Sequence, residues 1–262
     1  MANNNVAIER REFLLKTATF FAGSLLGLNC FSEAFAHSSD TSNPCIALII
    51  DDIGFSHSRL CNFLEIGAPL TFSILPRLDN SRPFAEEIHH AGHEIMLHQP
   101  MEPIDPNIDP GPGAIYVGDS AEKIIDVIGQ NIFDTPYATG INNHMGSRFT
   151  SCGKEMEEAL RPIKDQGLFF VDSLTTSHSQ GYITARKMNI SAAVRNIFLD
   201  NKQDKSFILL QLNKLKMIAL RSGYAIGIGH PYPETAQAIR LFYQSLKKTG
   251  ITLVQISSLM GS

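Results

Sequence analysis

From Cys45 onward the chain alternates between two hydrophobic periods. Residues 45–50, 70–75, 94–98, 138–144, 168–172, 224–230 and 251–256 form short, mostly apolar runs flanked by Gly, Pro or Asp. Unbroken apolar runs of that length predict strands buried on both faces. Between them the apolar positions recur at helical spacing. Met156, Leu160 and Ile163 share one face, as do Ile208, Leu212, Leu215 and Ala219, and as do Ile239, Phe242, Tyr243 and Leu246. Gly92, Gly167, Gly223 and Gly250 each fall between a helical pattern and the next strand, where a left-handed helix end favours Gly. Repeated strand–helix units predict an α/β fold with a parallel sheet. Because no polar edge strand is evident, the sheet is expected to curl into an irregular (β/α) barrel of about seven strands. No repeat, linker or composition break interrupts residues 45–262, which are read as one domain. Its one long irregular stretch, 102–118, carries Pro103, Pro106, Pro110 and Pro112 and is read as a lid or a spacer.

The first 36 residues follow a different rule. A basic start around Arg10, Arg11 and Lys16 leads into an apolar, small-residue segment and then Ala34-Phe35-Ala36. That order is the pattern of a secretory signal peptide, and the paired arginines resemble a bacterial twin-arginine export signal. Cleavage is expected after Ala36, with 37–44 as a short linker. The apolar segment is short of the roughly 20 residues a permanent membrane anchor needs. Cys30 follows Leu28-Asn29, which argues against lipidation. A periplasmic or secreted location follows as the expectation.

Charge narrows the partners. Lys and Arg number 22 against 26 Asp and Glu, a net charge of −4, so the basic excess that phosphate binding needs is missing and no nucleic-acid partner is expected. Of four cysteines none forms a Cys-x-x-Cys pair, so a thiolate zinc finger is not expected. Cys45, Cys61 and Cys152 are left as one disulfide plus a thiol, or as free thiols. Nothing in the sequence sets the oligomeric state.

Chemistry gathers at the strand ends, where parallel α/β folds place their sites. The first predicted strand runs into Asp51-Asp52, the third ends in His98, the fourth in Asn142-Asn143-His144, the fifth in Asp172 and the sixth in His230. Paired carboxylates after an apolar strand are costly to desolvate without a cation or donors nearby. Histidine and aspartate from separate strands suit a divalent ion, with zinc the expected one, and a second carboxylate is left to accept a proton. Other readings stand beside this one. Asp51 and Asp52 cap a turn, or His230 is a structural histidine paired with Asp172. His89 and His90 sit beside Glu86 and Glu87 on a solvated helix face, His93 is structural, and His57 and His178 are exposed.

The motifs Ile-Ile-Asp-Asp-Ile-Gly (49–54), Gly-His-Glu-Ile-Met-Leu-His (92–98), Asn-Asn-His-Met-Gly-Ser (142–147), Phe-x-Asp-Ser (170–173) and Ile-Gly-His-Pro (228–231) resemble the NodB-homology polysaccharide deacetylases, and within them the divergent polysaccharide deacetylase group. The resemblance implies a NodB-like barrel, a carbohydrate substrate and metal-dependent removal of acetyl groups. It matches Asp51 to the general base, Asp52 and His98 to metal ligands, and His230 to the general acid. The usual second metal histidine is replaced by Glu102, so Glu102 and His144 both stand as the third ligand. The usual base-orienting arginine is replaced by Asn142-Asn143, with Arg148 nearby. Asn142, Asn143, Arg148 and Asp172 are therefore expected to bind substrate or to orient the catalytic groups. The same departures support an alternative, a glycan-binding or regulatory protein that keeps the barrel without turnover. A metal hydrolase acting on another bond is a third reading, though no Gly-x-Ser-x-Gly or His-Glu-x-x-His motif accompanies it.

Overall fold

A computed structural model describes residues 43–260. The leader and nearly all of the linker read from the sequence lie outside those residues. Nine strands run in the order β1 (Cys45–Ile53), β2 (Thr71–Ile74), β3 (Glu94–Met101), β4 (Ala138–Met145), β5 (Phe169–Asp172), β6 (Ala192–Val194), β7 (Ile197–Phe198), β8 (Tyr224–Gly229) and β9 (Thr252–Val254). The helices between them are α1 (His57–Leu64), α2 (Ser81–His90), α3 (Ala121–Asp134), α4 (Gly153–Asp165), α5 (Gly181–Lys187), α6 (Lys205–Ser222) and α7 (Pro233–Leu246). None of the described helices is long and apolar enough to cross a membrane. The helical stripes read from the sequence fall on α4, α6 and α7, and Gly223 ends α6 in the left-handed conformation with φ 82°.

Among the described residues every strand pair is parallel, and the sheet order is β6-β5-β4-β3-β2-β1-β8-β7, with β9 on the first residues of β1. The sequence led to about seven strands; β6 and β7 are the two it missed. Only Arg195 and Asn196 separate them, yet β6 pairs with β5 and β7 with β8. One stretch of chain therefore joins the two edges of the sheet and curls it into an irregular barrel. Asn196 marks the crossing: its N–H donates to Ile226 O and its side-chain oxygen accepts from Ile226 N.

Inside the barrel, Ala47, Ile49, Met96, Phe169, Val171, Ala193, Ile226 and Ile228 form an apolar layer, with Ile256 closing the lower end. Gly140 belongs to this level because a Cβ there would lie 2.1 Å from the Phe169 ring. Outside, two larger apolar clusters fill the space between sheet and helices. At about 25 cal/mol per Å² of buried apolar surface, these layers are the main stabilising contribution and fix the strands on which the polar rim stands. Alternation then sends the next inward positions, Asp51, Ser73, His98 and Asn142, into the carboxyl-end mouth of the barrel.

The 102–118 stretch is tied down near both ends. Glu102 N donates to Ile115 O and Ile115 N to Pro100 O, while Gly113 O accepts from both Gln99 and Asn131 side chains. Cys45, Cys61 and Cys152 are free thiols, each half-buried.

Candidate active site and metal centre

Neighbouring residues in a flat strand face opposite ways, yet Asp51 and Asp52 face one mouth. The pairing of β1 with β2 slips between Ile50 and Ile53, and Asp52 takes φ 57°, a left-handed conformation that costs a non-glycine residue about 1–2 kcal/mol. The result is that Asp51 Oδ2 lies 3.6 Å and Asp52 Oδ1 3.2 Å from the same atom, His98 Nε2.

Asp52 Oδ1, His98 Nε2 and His144 Nδ1 form a triangle with edges of 2.9, 3.1 and 3.2 Å. Donors held about 2.0–2.2 Å from one ion are about 2.8–3.6 Å apart for ligand angles between 90° and tetrahedral. Asp52 Oδ1 is buried and, although both imidazoles lie close, it has no hydrogen-bond partner of proper geometry. A buried carboxylate oxygen without a partner is costly, and a cation at the centre of the triangle would satisfy it. The donor set therefore fits a divalent ion such as zinc.

Asn142 links this triangle to Asp51. Its amide nitrogen donates to Asp51 Oδ1 at 2.9 Å, so its Oδ1 faces His98 Nδ1 at 2.7 Å and also accepts from the Ser73 hydroxyl. An amide oxygen only accepts, so His98 carries a proton on Nδ1, and Nε2 is the atom it turns to the triangle. Burial is the largest influence on Asp51 and raises its carboxyl above the usual range, with His98, His230 and the Asn142 hydrogen bond opposing. For Asp52 burial acts upward too, but His144 and His98 outweigh it and hold the carboxyl well below the usual range.

His230 stands across the mouth, its Nε2 3.9 Å from Asp52 Oδ2. Asp200 holds it: Oδ1 accepts from Nδ1 at 2.8 Å and Oδ2 from the His230 backbone N–H at 2.6 Å, with the Thr235 hydroxyl as a third donor. Burial pulls the imidazole pKa down, but Asp200, seconded by Asp51 and Asp52, raises it to about 9. Beside it lies a cleft of about 100 Å³ lined by Asp52, Phe55, Ser56, Arg59, His230 and Tyr232.

The other sequence candidates are placed elsewhere. Glu102 is outside the triangle: its carboxylate pairs with Arg148 Nη1 at 2.8 Å and accepts from Val117 N, clasping the ends of the 102–118 stretch. Of the two residues left open for the third ligand position, the structure brings His144 to the triangle and not Glu102. Arg148, engaged by Glu102, does not orient Asp51. Asp172 is not the partner of His230. Its carboxylate accepts from Leu174 N, Tyr182 N and the Ser179 hydroxyl, and so shapes the loop after β5. Asn143 points the opposite way from Asn142, accepting from Ser173 N and donating to Met145 O, a turn-holding role.

The sequence matches the family described as divergent polysaccharide deacetylase over residues 48–260. The chain belongs to that family. Uncharacterized protein YibQ of Escherichia coli (strain K12) is 31% identical over 230 residues, covering 88% of this chain and 72% of YibQ. The crystal structure of uncharacterized protein ATU2773 from Agrobacterium tumefaciens C58 matches at a TM-score of 0.79 with 26% identity, covering 84% of this chain and 91% of that one. BA3943 from Bacillus anthracis, described as a CE4 family pseudoenzyme, has a similar fold at a TM-score of 0.50 and 17% identity, covering 84% and 66% of the two chains.

In this member of the divergent polysaccharide deacetylase family, sequence reasoning missed Asp200 and Arg195. Both follow from the overlooked β6–β7 stretch. Asp200 lies two residues past β7, where the strand-end rule would have found it. Arg195 sits between the two strands, stacked 3.7 Å over Phe198 and donating to Ser173 O at 2.7 Å and Leu174 O at 3.0 Å, and its charge acts on both Asp172 and Asp51. Asn142 thus supplies the donor to Asp51 that the usual arginine would have given.

Proposed function

We propose that this protein is a metal-dependent hydrolase that removes acetyl groups from an envelope or extracellular carbohydrate after export to the periplasm or beyond. The observation that carries the reading is the convergence of Asp52, His98 and His144 on one point, with Asp51 and His230 on either side. A zinc or similar ion held by those three residues would supply Lewis-acid polarisation of the acetyl carbonyl and acidify a water. Asp51, kept in place by Asn142, accepts the proton of the attacking water. His230, charged and oriented by Asp200, gives a proton to the departing amine or alcohol. Phe55, Arg59 and Tyr232 line the cleft beside His230 and offer a stacking and hydrogen-bonding wall to a sugar ring.

The test is acetate release from a panel of N- and O-acetylated glycans by purified, zinc-loaded protein. Release by the wild type, reduced about 10²–10⁴-fold in Asp51→Asn with zinc content unchanged, is the expected result. Zinc-loaded protein that binds these glycans yet releases no acetate would overturn the hydrolase reading and leave the glycan-binding one.

A further inference from the structure

A second constellation of metal-binding groups stands apart from the mouth of the barrel. His57 and Cys61 occupy the first and fifth positions of α1, one helical turn apart and so on one face. Glu87 approaches them from α2. His57 Nε2 lies 3.0 and 3.1 Å from the two Glu87 carboxylate oxygens, and Cys61 Sγ lies 3.6 Å from His57 Nδ1 and 3.7 Å from Nε2. Phe84, buried beneath, stacks obliquely against the imidazole with ring centres 5.8 Å apart and gives it an apolar floor.

An ion pair between His57 and Glu87 needs no sulfur, yet the thiol of Cys61 completes a three-donor set within 4.8 Å. Tetrahedral zinc with bonds of about 2.0–2.1 Å to nitrogen, 2.0–2.2 Å to oxygen and 2.3 Å to sulfur separates nitrogen from oxygen by about 3.4 Å and nitrogen from sulfur by about 3.6 Å. The nitrogen–sulfur separation here is close to that value, and the nitrogen–oxygen separations of 3.0 and 3.1 Å are a few tenths of an ångström shorter, the spacing of the ion pair the metal would open. Thiolate, imidazole and carboxylate together select a borderline ion over magnesium or calcium.

We infer that His57, Cys61 and Glu87 form a second zinc site, with the fourth position open to water on the solvent side. Binding releases the Cys61 thiol proton to solvent as the thiolate–zinc bond forms. The ion ties α1 to α2 directly behind Phe55, Ser56 and Arg59, which line the cleft beside His230. The inference stands independently of any reaction at the mouth, because the two sites share no residue.

The donor sets also make the test selective, since the Asp52–His98–His144 triangle contains no sulfur. Zinc binding by equilibrium dialysis on the full chain should give two ions in the wild type and one in Cys61→Ser, in Glu87→Gln and in His98→Ala. With cobalt in place of zinc, a near-ultraviolet thiolate-to-cobalt charge-transfer band should appear in the wild type and in His98→Ala. It should vanish in Cys61→Ser and in His57→Ala, although Cys30, Cys45 and Cys152 remain. Circular dichroism of each variant confirms its fold, and Glu87→Gln tests the site without touching the thiol. An unchanged ion count and band in Cys61→Ser overturns the inference, as does a wild type that binds one ion without the band. One ion with the band instead supports this site and removes the metal centre of the proposed hydrolase.

Discussion

The Asn142 amide serves four neighbours at once, donating to Asp51 and Ser173 and accepting from His98 and Ser73. Asn142→Leu keeps much of the volume but removes every one of these contacts. Left unpaired in a buried site, the remaining groups should lower unfolding free energy by about 1–3 kcal/mol, read from urea denaturation. With the His98 tautomer no longer fixed, zinc affinity should also fall by about 10–100-fold, read by competition with a chelating dye. His230 gives a second prediction at this scale. The acid must hold its proton, and its folded pKa of about 9 exceeds the ordinary imidazole value. Activity should therefore be sustained through neutral pH and lost as pH rises through about 9. Asp51 must be ionised to act as base, and since its pKa is raised, activity should be lost on the acid side above the ordinary carboxylate range. In Asp200→Asn the charge that lifts the imidazole is gone, so the alkaline limb should move down toward the ordinary value of about 6.5 while the acid limb stays. A pH–rate profile whose alkaline limb does not move would remove Asp200 from that role.

Among elements, β1 depends on an irregularity: the register slip and the left-handed Asp52 bring two consecutive carboxylates to one side. β4 depends on its regularity, since alternation sends Asn142 and His144 inward and Asn143 outward. Inside the barrel, β4 and β5 interlock at Gly140 and Phe169. Gly140→Ala should overpack that contact and destabilise the fold by about 1–3 kcal/mol, with partial recovery when Phe169→Leu is added. The 102–118 stretch supplies a test of where Glu102 acts. Glu102→Gln breaks its ion pair with Arg148, so the segment should become more susceptible to limited proteolysis while the zinc content of the mouth stays unchanged. His144→Ala should show the converse, losing zinc without new cleavage.

For the molecule as a whole, the mouth draws its groups from residues as far apart in sequence as Asp51 and His230, so an ion bound there ties distant parts of the chain together. An ion that binds the folded chain alone stabilises it by about 2.7 kcal/mol at a free concentration 100 times its Kd. Stripping metal with a chelator should lower the melting temperature, readdition should restore it, and His98→Ala should weaken the response. Much of this architecture was legible beforehand. The strands that carry Asp51, Asp52, His98, Asn142, His144 and His230 are short, mostly apolar runs between turn residues, and such runs announce burial without reference to anything else in the chain. The stretch that closes the barrel was not legible, because Arg195 and Asn196 divide its apolar residues into two pieces of three, too short to signal a strand until β5 and β8 lie alongside. Asp200 was hidden with it, and Asp172, equally an aspartate at a strand end, took its place as partner of His230. Glu102 and His144 were likewise equivalent as residue types, and the direction of each side chain separated them. Local pattern therefore determined the alternating elements and the chemistry available at their ends, because periodicity and residue type belong to short stretches of chain. Tertiary structure alone decided which acid meets which imidazole, because those distances depend on strand order, register and one left-handed residue.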